Sequence, residues 1–407
     1  MNGKAATREL AMWVIRRLHE KGFEALLAGG CVRDMLLGIR PADYDVATSA
    51  TPQAIRQLFP RVLMVGAQFG VAVVVRSGRM VEVATFRSDV SYTDGRRPDE
   101  VVFSNARADA ERRDFTINGM FLDPITNEVV DYVGGQTDLK AHLVRAIGNP
   151  RHRFAEDYLR MLRAVRFAAR LQFEIEPATA EAIKQYAPNI QRISGERVRE
   201  ELEKMLSSPT SPRAMQLVYQ LGLAGPIFGQ GLTEPETWTA GMDRLGRVAK
   251  FRDAVLSLGA ILIDSDPGEI RALTRTWGAS NEMRGDLVWL AQYASLWENG
   301  LDIPLAGLKR LLANPSWPRL RRLWRAEEQR LTGRDVLARR MSQRIAKIDP
   351  ARINPPPFVG GEDLKQLGMV EGPEMGQILR TLMELQLAEQ INTREEALQR
   401  ARGMLGK

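Results

Sequence analysis

Cysteine and histidine are scarce in this sequence, whose 407 residues include one Cys, Cys31, and three His. A single cysteine excludes an internal disulfide and a cysteine-based zinc site, and three scattered histidines cannot replace the missing thiolates. Long apolar segments are also missing, because aliphatic runs such as Val71 to Val75 have only the length of a strand. We therefore expect a protein of the reducing cytoplasm, with no signal peptide, no transmembrane helix and no membrane partner.

Hydrophobic residues make up 44% of the chain and charged residues 26%, which excludes wholesale disorder. The length exceeds that of one ordinary core, so two to four structural units are expected. The formal net charge of +7 favours a polyanionic partner. This excess is local, because Arg319 to Lys347 contains ten Lys or Arg and only three acidic residues.

Hydrophobic patterning divides the chain into an α/β part and a helical part. A helical pattern around Leu10 to Leu18 leads into the apolar run Ala25 to Ala28 and a Gly-Gly turn. Between residues 43 and 133, β-branched stretches alternate with Gly- and Asp-rich breaks, as in a mixed sheet with short connections. Helical patterns take over after Pro150, and a Pro-rich break at 354–357 sets off the last segment. The sequence predicts an α/β N-terminal head with a mixed β-sheet, followed by an all-α remainder.

Two carboxylates in the motif DYDVAT (Asp43 to Thr48) have the spacing of a metal site. Side chains two residues apart in a strand share a face, so Asp43 and Asp45 point toward one position while Tyr44 points away. Two carboxylates suffice for Mg²⁺ when a nucleoside triphosphate and water complete its oxygen shell.

The preceding motif GGCVRD (Gly29 to Asp34) suits phosphate. Gly29 and Gly30 permit close approach of backbone N–H groups, and Arg33 can add a bidentate clamp. Either motif alone is typical of a tight turn or a solvated Asp pair, whereas the two in this order predict a nucleotide site.

The segment Glu156 to Arg170 carries a charged stripe on a predicted helix. Its members recur every three residues and are Asp157, Arg160, Arg163 and Arg166. Cytosine and adenine both present an amino donor beside a ring-nitrogen acceptor, which an Asp acceptor next to an Arg donor matches. Uracil and guanine present the reverse pattern, and the mispairing costs about 1–3 kcal/mol per contact. Asp157 and Arg160 therefore suit selection of C and A; a surface helix with ordinary ion pairs is the alternative interpretation.

Two further segments carry weaker signals. Ser88 to Glu100 is polar and contains Asp94-Gly95 and Pro98, which predicts a mobile loop between strands. In the basic region after Trp317, RNA-backbone binding by Arg319, Arg321 and Arg322 and a solvated basic helix over buried tryptophans fit equally well.

Five ordered motifs resemble those of the class II tRNA nucleotidyltransferases, the CCA-adding enzyme family, which includes bacterial poly(A) polymerases and belongs to the DNA polymerase β superfamily. They are GGCVRD, DYDVAT, RRDFTIN (Arg112 to Asn118), GGQTDL (Gly134 to Leu139) and EDYLR (Glu156 to Arg160). The segments GEDLKQLG (Gly361 to Gly368) and GPEMG (Gly372 to Gly376) resemble the family's C-terminal part. The resemblance implies addition of C, C and A to the 3′ end of tRNA from CTP and ATP, without a nucleic-acid template.

The same resemblance implies a sea-horse architecture and a set of site residues. The expected parts are a catalytic head (1–140), a helical neck with the nucleotide-selecting helix (141–210), a helical body (211–350) and a tRNA-binding helical tail (351–407). Asp43 and Asp45 would hold Mg²⁺, Gly30 and Arg33 would contact the triphosphate, and RRDFTIN would face the sugar. With the stripe, the predicted nucleotide-binding set is Gly29, Gly30, Arg33, Arg113, Asp114, Asn118, Asp157, Arg160, Arg163 and Arg166.

Two of these assignments have plain structural alternatives. Asp114 and Asn118 offer acceptors and a donor suited to hydroxyls, yet RRDFTIN also fits a charged turn before a buried Phe115. A third carboxylate, common in the superfamily, is assigned to Glu82, although a glutamate in a valine-rich strand is ordinarily solvent-facing.

Three other functions remain open from the sequence. An enzyme that adds only the terminal A and a poly(A) polymerase share the chemistry; the latter is disfavoured because Val65 to Val75 lacks the basic residues expected there. In the family, a flexible loop at Ser88 to Glu100 is needed for A addition, and relatives with shortened loops add only CC. A catalytically silent RNA-binding protein is the alternative from another class, and intact Asp43 and Asp45 argue against it.

Overall fold

The computed structural model describes residues 3–65, 70–89 and 101–405. The chain divides into two units, Met1–Thr233 and Glu234–Lys407, which are described separately. The finer division at residues 140, 210 and 350 stays a prediction. Most of the predicted loop, from residue 90 to residue 100, lies outside the described residues.

A seven-stranded mixed sheet with two small satellite sheets forms the β-structure of the first unit. The strands are β1 (Ala25–Ala28), β2 (Asp45–Thr48), β3 (Val62–Leu63), β4 (Val71–Arg76), β5 (Arg79–Thr85), β6 (Arg87–Asp89), β7 (Val101–Phe103), β8 (Phe121–Asp123), β9 (Glu128–Val130), β10 (Leu143–Val144) and β11 (Glu174–Ile175). The large sheet has the order β3-β4-β5-β2-β1-β8-β9, in which only β2 and β5 pair in parallel. The sequence-based prediction of a mixed sheet with short connections is therefore confirmed.

The register of the central strands brings three sequence motifs to one end of this sheet. Ala28 at the end of β1 pairs with Asp45 at the start of β2, and with Phe121 at the start of β8. The Gly-Gly turn therefore begins beside Asp45, and RRDFTIN ends just before β8. A backbone hydrogen bond from Gly29 N–H to the Met120 carbonyl at 3.1 Å fixes this junction.

Helices cover the sheet and continue beyond it in the first unit. They are α1 (Gly3–His19), α2 (Gly30–Leu36), α3 (Pro52–Leu58), α4 (Ala106–Glu111), α5 (Gly135–Lys140), α6 (Pro150–Glu156), α7 (Leu159–Leu171), α8 (Pro177–Tyr186), α9 (Gly195–Leu206), α10 (Ser211–Gln220) and α11 (Ala224–Phe228). Short 3₁₀ turns span Thr116–Asn118, Ala187–Arg192 and Gly231–Thr233. The buried face of α1 includes Val14, Ile15 and Leu18, as the helical pattern predicted.

One strand lies where the sequence predicted only helix. Gln172 adopts a left-handed conformation with φ of 58° and ends α7. The chain then reverses, and β11 pairs in parallel with β10. Two residues are too short for a periodic strand signal, so sequence patterning missed the pair.

The second unit is helical throughout its described part. Its α-helices are α12 (Pro235–Val248), α13 (Ala254–Leu262), α14 (Pro267–Thr276), α15 (Asn281–Ala294), α16 (Leu305–Ala313), α17 (Trp317–Thr332), α18 (Val336–Ile345), α19 (Gly361–Gln366), α20 (Pro373–Leu387) and α21 (Arg394–Met404). Further 3₁₀ turns span Ala249–Phe251, Ser295–Trp297, Gly300–Asp302 and Pro350–Arg352. The all-α prediction for this part is confirmed. None of the helices in the described ranges combines the length and the apolar character needed to cross a bilayer.

Candidate active site

A cavity of about 620 Å³ opens in the first unit at the sheet end where the three motifs meet. Its walls include most of the residues that the sequence singled out: Gly29, Gly30, Arg33, Asp45, Glu82, Arg113, Asp114, Asn118, Asp157, Arg160 and Arg163. Asp43 and Arg166 are not part of the wall, although each lies close to residues that are. Motifs spread over 130 residues of sequence thus converge on one cavity.

The carboxylate pair has the alternation that its spacing predicted. Asp43 and Asp45 are exposed while Tyr44 between them is buried. β2 begins at Asp45, so Asp43 lies in the loop just before the strand. Asp45 therefore leaves the sheet on the side opposite to Tyr44, and Asp43 is exposed in the loop just before it.

Glu82 is the neighbour of Asp45 on the adjacent strand. β2 and β5 pair in parallel with Val46 opposite Val83, so the preceding residues, Asp45 and Glu82, lie side by side. The cavity walls displace bulk water from Asp45, and this desolvation, together with the charges of Glu82 and Asp43, raises its pKa to about 6. Arg113 acts in the opposite direction but does not compensate. The three carboxylates repel one another, and a cation would relieve that repulsion.

The donor set fits Mg²⁺ that is shared with a substrate. In the described ranges, no group of three or more His, Cys, Asp or Glu side chains has the arrangement to hold a metal ion by itself. Mg²⁺ commonly takes one or two carboxylates and completes its octahedral shell with water and substrate phosphates. Asp43 and Asp45 supply hard oxygen donors beside a cavity lined by arginines, and this chemistry suits a magnesium–triphosphate complex.

The Gly-Gly turn is required by its neighbours. Gly29 has φ of 70°, in the left-handed region that favours glycine, and a Cβ there would lie 2.9 Å from Nη1 of Arg113. Arg113 is held by the buried Asp109, to which its Nε and Nη2 donate at 3.1 and 2.8 Å. Arg113 Nη1 also donates to the Asn118 carbonyl at 3.3 Å. The Gly-Gly turn and RRDFTIN are thus in direct contact through Arg113.

Arg33 is buried and bonded within the protein. Its Nε and Nη2 donate to Oδ1 of Asp34 at 2.9 and 2.6 Å, and its Nη1 donates to Oδ1 of Asn118 at 2.6 Å. Oδ2 of Asp34 accepts from Arg170 at 3.1 Å. The guanidinium contributes positive charge to the cavity wall, and these contacts fix where that charge sits; its contact with a triphosphate stays a prediction.

RRDFTIN folds into a 3₁₀ turn in which Asp114 and Asn118 share a hydrogen bond of 3.0 Å. Asp114 Oδ2 also accepts from Nε of Arg163 at 2.9 Å. Burial alone would raise the pKa of the Asp114 carboxyl, but the Arg163 guanidinium and the Asn118 amide hold it below its usual range. Asp114 is therefore ionised and oriented as an acceptor beside the cavity.

The motif GGQTDL supports this turn from behind. A Cβ on Gly135 would lie 2.3 Å from the Thr116 carbonyl oxygen, so only glycine fits. Asp138 Oδ2 accepts a hydrogen bond of 2.7 Å from the Thr116 hydroxyl. GGQTDL thus positions RRDFTIN and is not itself part of the cavity wall.

The predicted continuous helix from Glu156 to Leu171 is wrong. α6 ends at Glu156, Asp157 is extended with φ of −155°, and α7 begins at Leu159. The cause is the Asp157 side chain, whose Oδ1 accepts from Leu159 N–H at 3.0 Å and so competes with the helical hydrogen bonds. Its Oδ2 accepts from Nη2 of Arg197 at 2.7 Å. Asp157 therefore lies before the stripe, at the cavity wall.

The other members of the stripe are joined to acidic partners. Arg160 pairs with Glu156 and donates to the Arg153 carbonyl at 2.9 Å. Arg166 donates to the buried Glu201 at 2.6 Å. Asp157 and Arg160 nevertheless both line the cavity, and their pairing with a base stays a prediction.

An aromatic ring underlies the arginines of the site. The guanidinium carbons of Arg33, Arg163 and Arg166 lie 5.1, 5.5 and 4.3 Å from the ring centroid of Phe167. Guanidinium groups are attracted to the face of an aromatic ring at these distances. Phe167 thereby helps to hold like charges close together.

Sequence reasoning missed several residues that complete the site: Asp34, Asp109, Phe167, Arg170, Arg197 and Glu201. Asp34 and Asp109 lie one to four residues from an arginine that they hold, a local spacing that was available in the sequence. Arg197 and Glu201 lie about 40 residues after the stripe, on α9, and no local pattern connects the two segments.

The basic segment of the second unit separates into two kinds of arginine. Arg319 donates to Asp253 and Asp286, both at 2.9 Å, and so belongs to the framework of the unit. Arg321 and Arg322 instead line a second cavity, of about 570 Å³. Their assignment to RNA stays a prediction, and Arg319 is not part of the lining of this cavity.

Comparison with known proteins places the chain in a family. A model of the poly A polymerase head domain matches residues 25–145, and one described as the probable RNA and SrmB-binding site of polymerase A matches residues 172–239. The CCA-adding enzyme of Lactobacillus johnsonii is 32% identical over 394 residues, which cover 95% of each chain. That of Geobacillus stearothermophilus is 42% identical over 220 residues, 54% of each chain. The crystal structure of the Bacillus stearothermophilus CCA-adding enzyme in complex with CTP superimposes with a TM-score of 0.76 at 26% identity, covering 98% of this chain and 99% of the other.

Proposed function

The chain belongs to the CCA-adding enzyme family, the class II tRNA nucleotidyltransferases, and on this basis we propose that its cavity adds C, C and A to the 3′ end of tRNA. The substrates are CTP, ATP and a tRNA that lacks its 3′ end, and no nucleic-acid template is needed. One observation carries the proposal: carboxylates at one sheet end share a cavity with Asp157 and the arginines of α7. We assign the reaction to the cytoplasm, where these substrates occur.

In the proposed reaction, the tRNA 3′-hydroxyl attacks the α-phosphate of the bound nucleotide, a P–O bond forms, and pyrophosphate leaves. Asp43 and Asp45 are the residues that would hold Mg²⁺. When bound there, the metal supplies positive charge at the α-phosphate and makes the 3′-hydroxyl more acidic. The carboxylates themselves fix the position of that charge at the sheet end.

The remaining side chains bind and orient the nucleotide. Arg113 and Arg163 place positive charge where the triphosphate would lie, and their bonds to Asp109 and Asp114 keep them from folding back into the site. Asp114 and Asn118 present oxygen and amide groups suited to ribose hydroxyls. This preorganisation supports the assignment of RRDFTIN to the sugar.

Base selection is assigned to Asp157 with Arg160. Arg197 and the Leu159 N–H orient the Asp157 carboxylate, whose oxygens have lone pairs for a further donor. The amino group of cytosine or adenine is that donor. Arg160 serves the ring nitrogen when its guanidinium, held at present by Glu156, faces the base.

The deciding experiment incubates tRNA lacking its 3′ end with Mg²⁺ and labelled nucleotide. We expect two C from CTP alone and a complete CCA end from CTP with ATP. An enzyme that adds only A would leave this substrate unchanged with CTP. Asp45→Ala is expected to abolish both incorporations, while Glu128→Ala, which removes an exposed carboxylate of β9, is the matched control. Activity that survives Asp45→Ala would refute the assignment of the metal site.

A further inference from the structure

A basic cleft in the second unit has features of a second nucleotide site. It encloses about 570 Å³, within the range of about 300–1,000 Å³ typical of small-molecule pockets. Six of its lining residues are cationic and none is acidic: Arg247, Lys250, Arg321, Arg322, Arg325 and Arg339. Its aromatic lining residue, Phe251, has 40% of its surface exposed.

Three of these cations form no ion pair with any carboxylate that the structure describes. Arg325 and Arg339 both bind Asp335, at 2.6 and 2.7 Å. In the part of the chain that the structure describes, Lys250, Arg321 and Arg322 form no ion pair with a carboxylate. Cations gathered in a cleft without counter-charges raise the local positive potential, which favours an anionic ligand.

Phe251 and Arg322 form a stacking platform at the cleft. The Arg322 guanidinium carbon lies 4.1 Å from the ring centroid of Phe251, and Lys250 Nζ lies 5.4 Å from it. Nucleobases stack on aromatic rings and on guanidinium planes alike. A ligand with both a planar base and phosphates matches this platform better than inorganic phosphate or an acidic peptide would.

The turn that carries the platform is fixed by the fold. The 3₁₀ turn Ala249–Phe251 ends at Arg252, a non-glycine residue with a left-handed φ of 53°. The next residue, Asp253, caps α13 by accepting from Leu256 N–H at 3.0 Å and is bound by Arg319 of α17. Arg319 therefore anchors Phe251 beside the helix that presents Arg321 and Arg322.

We propose that this cleft binds an unpaired nucleotide of the tRNA, with the base on Phe251 and Arg322 and the flanking phosphates on Arg321 and Lys250. The proposal rests on the proposed function, which makes tRNA the substrate. An unpaired nucleotide is required because bases within a duplex are already stacked and hide their ring faces. The cleft shares no residue with the catalytic cavity and would add affinity for the tRNA.

The first test measures whether an aromatic ring at position 251 contributes to tRNA binding. The dissociation constant of tRNA lacking its 3′ end is measured by filter binding without Mg²⁺, CTP or ATP. Phe251→Leu is expected to weaken binding about tenfold, within the range for loss of one stacked base, while Phe251→Trp keeps the affinity within about twofold. An RNA duplex without unpaired nucleotides should not distinguish the two variants. Equal tRNA affinity for both would overturn the platform.

The second test counts phosphates. Arg321→Ala with Lys250→Ala should lower the slope of log affinity against log salt by about 1.5, since each phosphate contact contributes about 0.7 to 0.9. Arg334→Ala with Arg340→Ala removes the same charge from exposed positions outside the cleft lining and is the control. Equal effects in the two double variants would overturn the cleft as the site.

Free nucleotides distinguish the source of the ligand. If AMP or CMP occupies the cleft while tRNA affinity is the same in wild type and Phe251→Leu, the site takes small molecules and the RNA assignment fails. Failure of the proposed function would be seen in a different measurement, because the wild-type protein would then incorporate no nucleotide at any tRNA concentration. The binding measurements do not require incorporation.

Discussion

Asp157 combines a structural role in the backbone with a place in the cavity wall. Its two oxygens accept from the Leu159 N–H and from Arg197, and these bonds end one helix and start the next. Because it lies at a helix break and not on the helix face, its orientation depends on Arg197. The sequence predicted a place on the helix face, whereas the structure places Asp157 at the break between α6 and α7, and its role toward the base stays a prediction.

Replacing Asp157 by Ala is expected to relax base choice. The variant loses the acceptor that favours an amino group, so the ratio of kcat/KM for CTP over UTP should fall about tenfold, within the range for one base contact. Total activity should fall as well. Glu181→Ala, which removes an exposed carboxylate of α8, is the control. An unchanged ratio in Asp157→Ala would mean that the base is selected by other residues.

Arg319 and Arg321 are two residues apart, but replacing them is expected to affect the stability of the protein differently. Arg319 is half-buried between Asp253 and Asp286, so Arg319→Ala should lower the free energy of unfolding by about 1–2 kcal/mol. Arg321 is exposed without an ion pair in the described ranges, so Arg321→Ala should change it by less than about 0.5 kcal/mol. Denaturant titration of both variants checks this. Equal destabilisation would show that Arg321 also belongs to the framework.

At the scale of elements, the turn after β1 restricts the residue at position 29 to glycine for two reasons, its backbone angle and the space around it. Gly22 and Gly29 both have positive φ, of 81° and 70°. A Cβ at Gly22 would enter open space, whereas a Cβ at Gly29 would collide with Nη1 of Arg113. Comparing alanine at the two positions therefore separates backbone strain from displacement of Arg113.

Gly22→Ala should cost about 1–2 kcal/mol of stability and leave nucleotide incorporation unchanged once the protein is folded. Gly29→Ala should cost more, and it should lower incorporation at least tenfold because Arg113 must move away from the cavity. Melting temperatures and initial rates for both variants are the measurements. Normal activity in folded Gly29→Ala would show that the position of Arg113 is not critical.

α9 contributes a buried carboxylate that organises α7. Glu201 accepts from Arg166 at 2.6 Å and from Lys204 at 3.0 Å, and it lies 4.0 Å from Arg163. Burial opposes ionisation, but these three cations hold the pKa of Glu201 below its usual range. A depressed folded-state pKa means that the stabilisation is present above the unfolded value and is lost as pH falls through the folded value.

Glu201→Gln is therefore expected to cost about 3 kcal/mol at neutral pH, because the half-buried Arg163 and Arg166 lose their buried counter-charge. The difference from wild type should shrink as pH falls below the ordinary pKa of a glutamate, about 4.3, because the unfolded wild-type chain then takes up a proton that the folded chain binds only at lower pH. Glu200→Gln, an exposed neighbour on the same helix, provides the control. A difference that stays constant across this pH range would exclude an ionised Glu201 as its source.

Local patterns predicted the elements but not the partnerships between them. Alternation predicted the strands and placed Asp43 and Asp45 on one side, because pleating depends only on neighbouring residues. It did not reveal that Asp45 lies beside Glu82, since that contact depends on the parallel pairing of β2 with β5. Similarly, Arg197 reaches Asp157 only because α9 packs against α7.

At the scale of the whole molecule, the proposed active site and the segment with surplus positive charge lie in different units. The cavity proposed as the active site and the carboxylates that would hold Mg²⁺ lie in the first unit. The segment with a surplus of basic residues lies in the second, where the structure divides it into framework ion pairs and an open cleft. Net charge indicated a polyanionic partner, but only the tertiary structure shows which arginines are available to bind one.

The proposal that one cavity serves both nucleotides has a kinetic consequence. Cytosine and adenine present the same donor and acceptor pair, so in the proposed site Asp157 and Arg160 would bind either base, and the same arginines would bind either triphosphate. ATP should therefore compete with CTP for a tRNA that lacks its 3′ end, although A cannot be added at that stage. We expect ATP to raise the apparent KM for CTP in proportion to its concentration and to leave kcat unchanged. GTP, whose base presents the reverse pattern, should inhibit more weakly than ATP and is the control. Inhibition that lowers kcat, or equilibrium dialysis showing CTP and ATP bound together on one chain, would contradict a shared catalytic site.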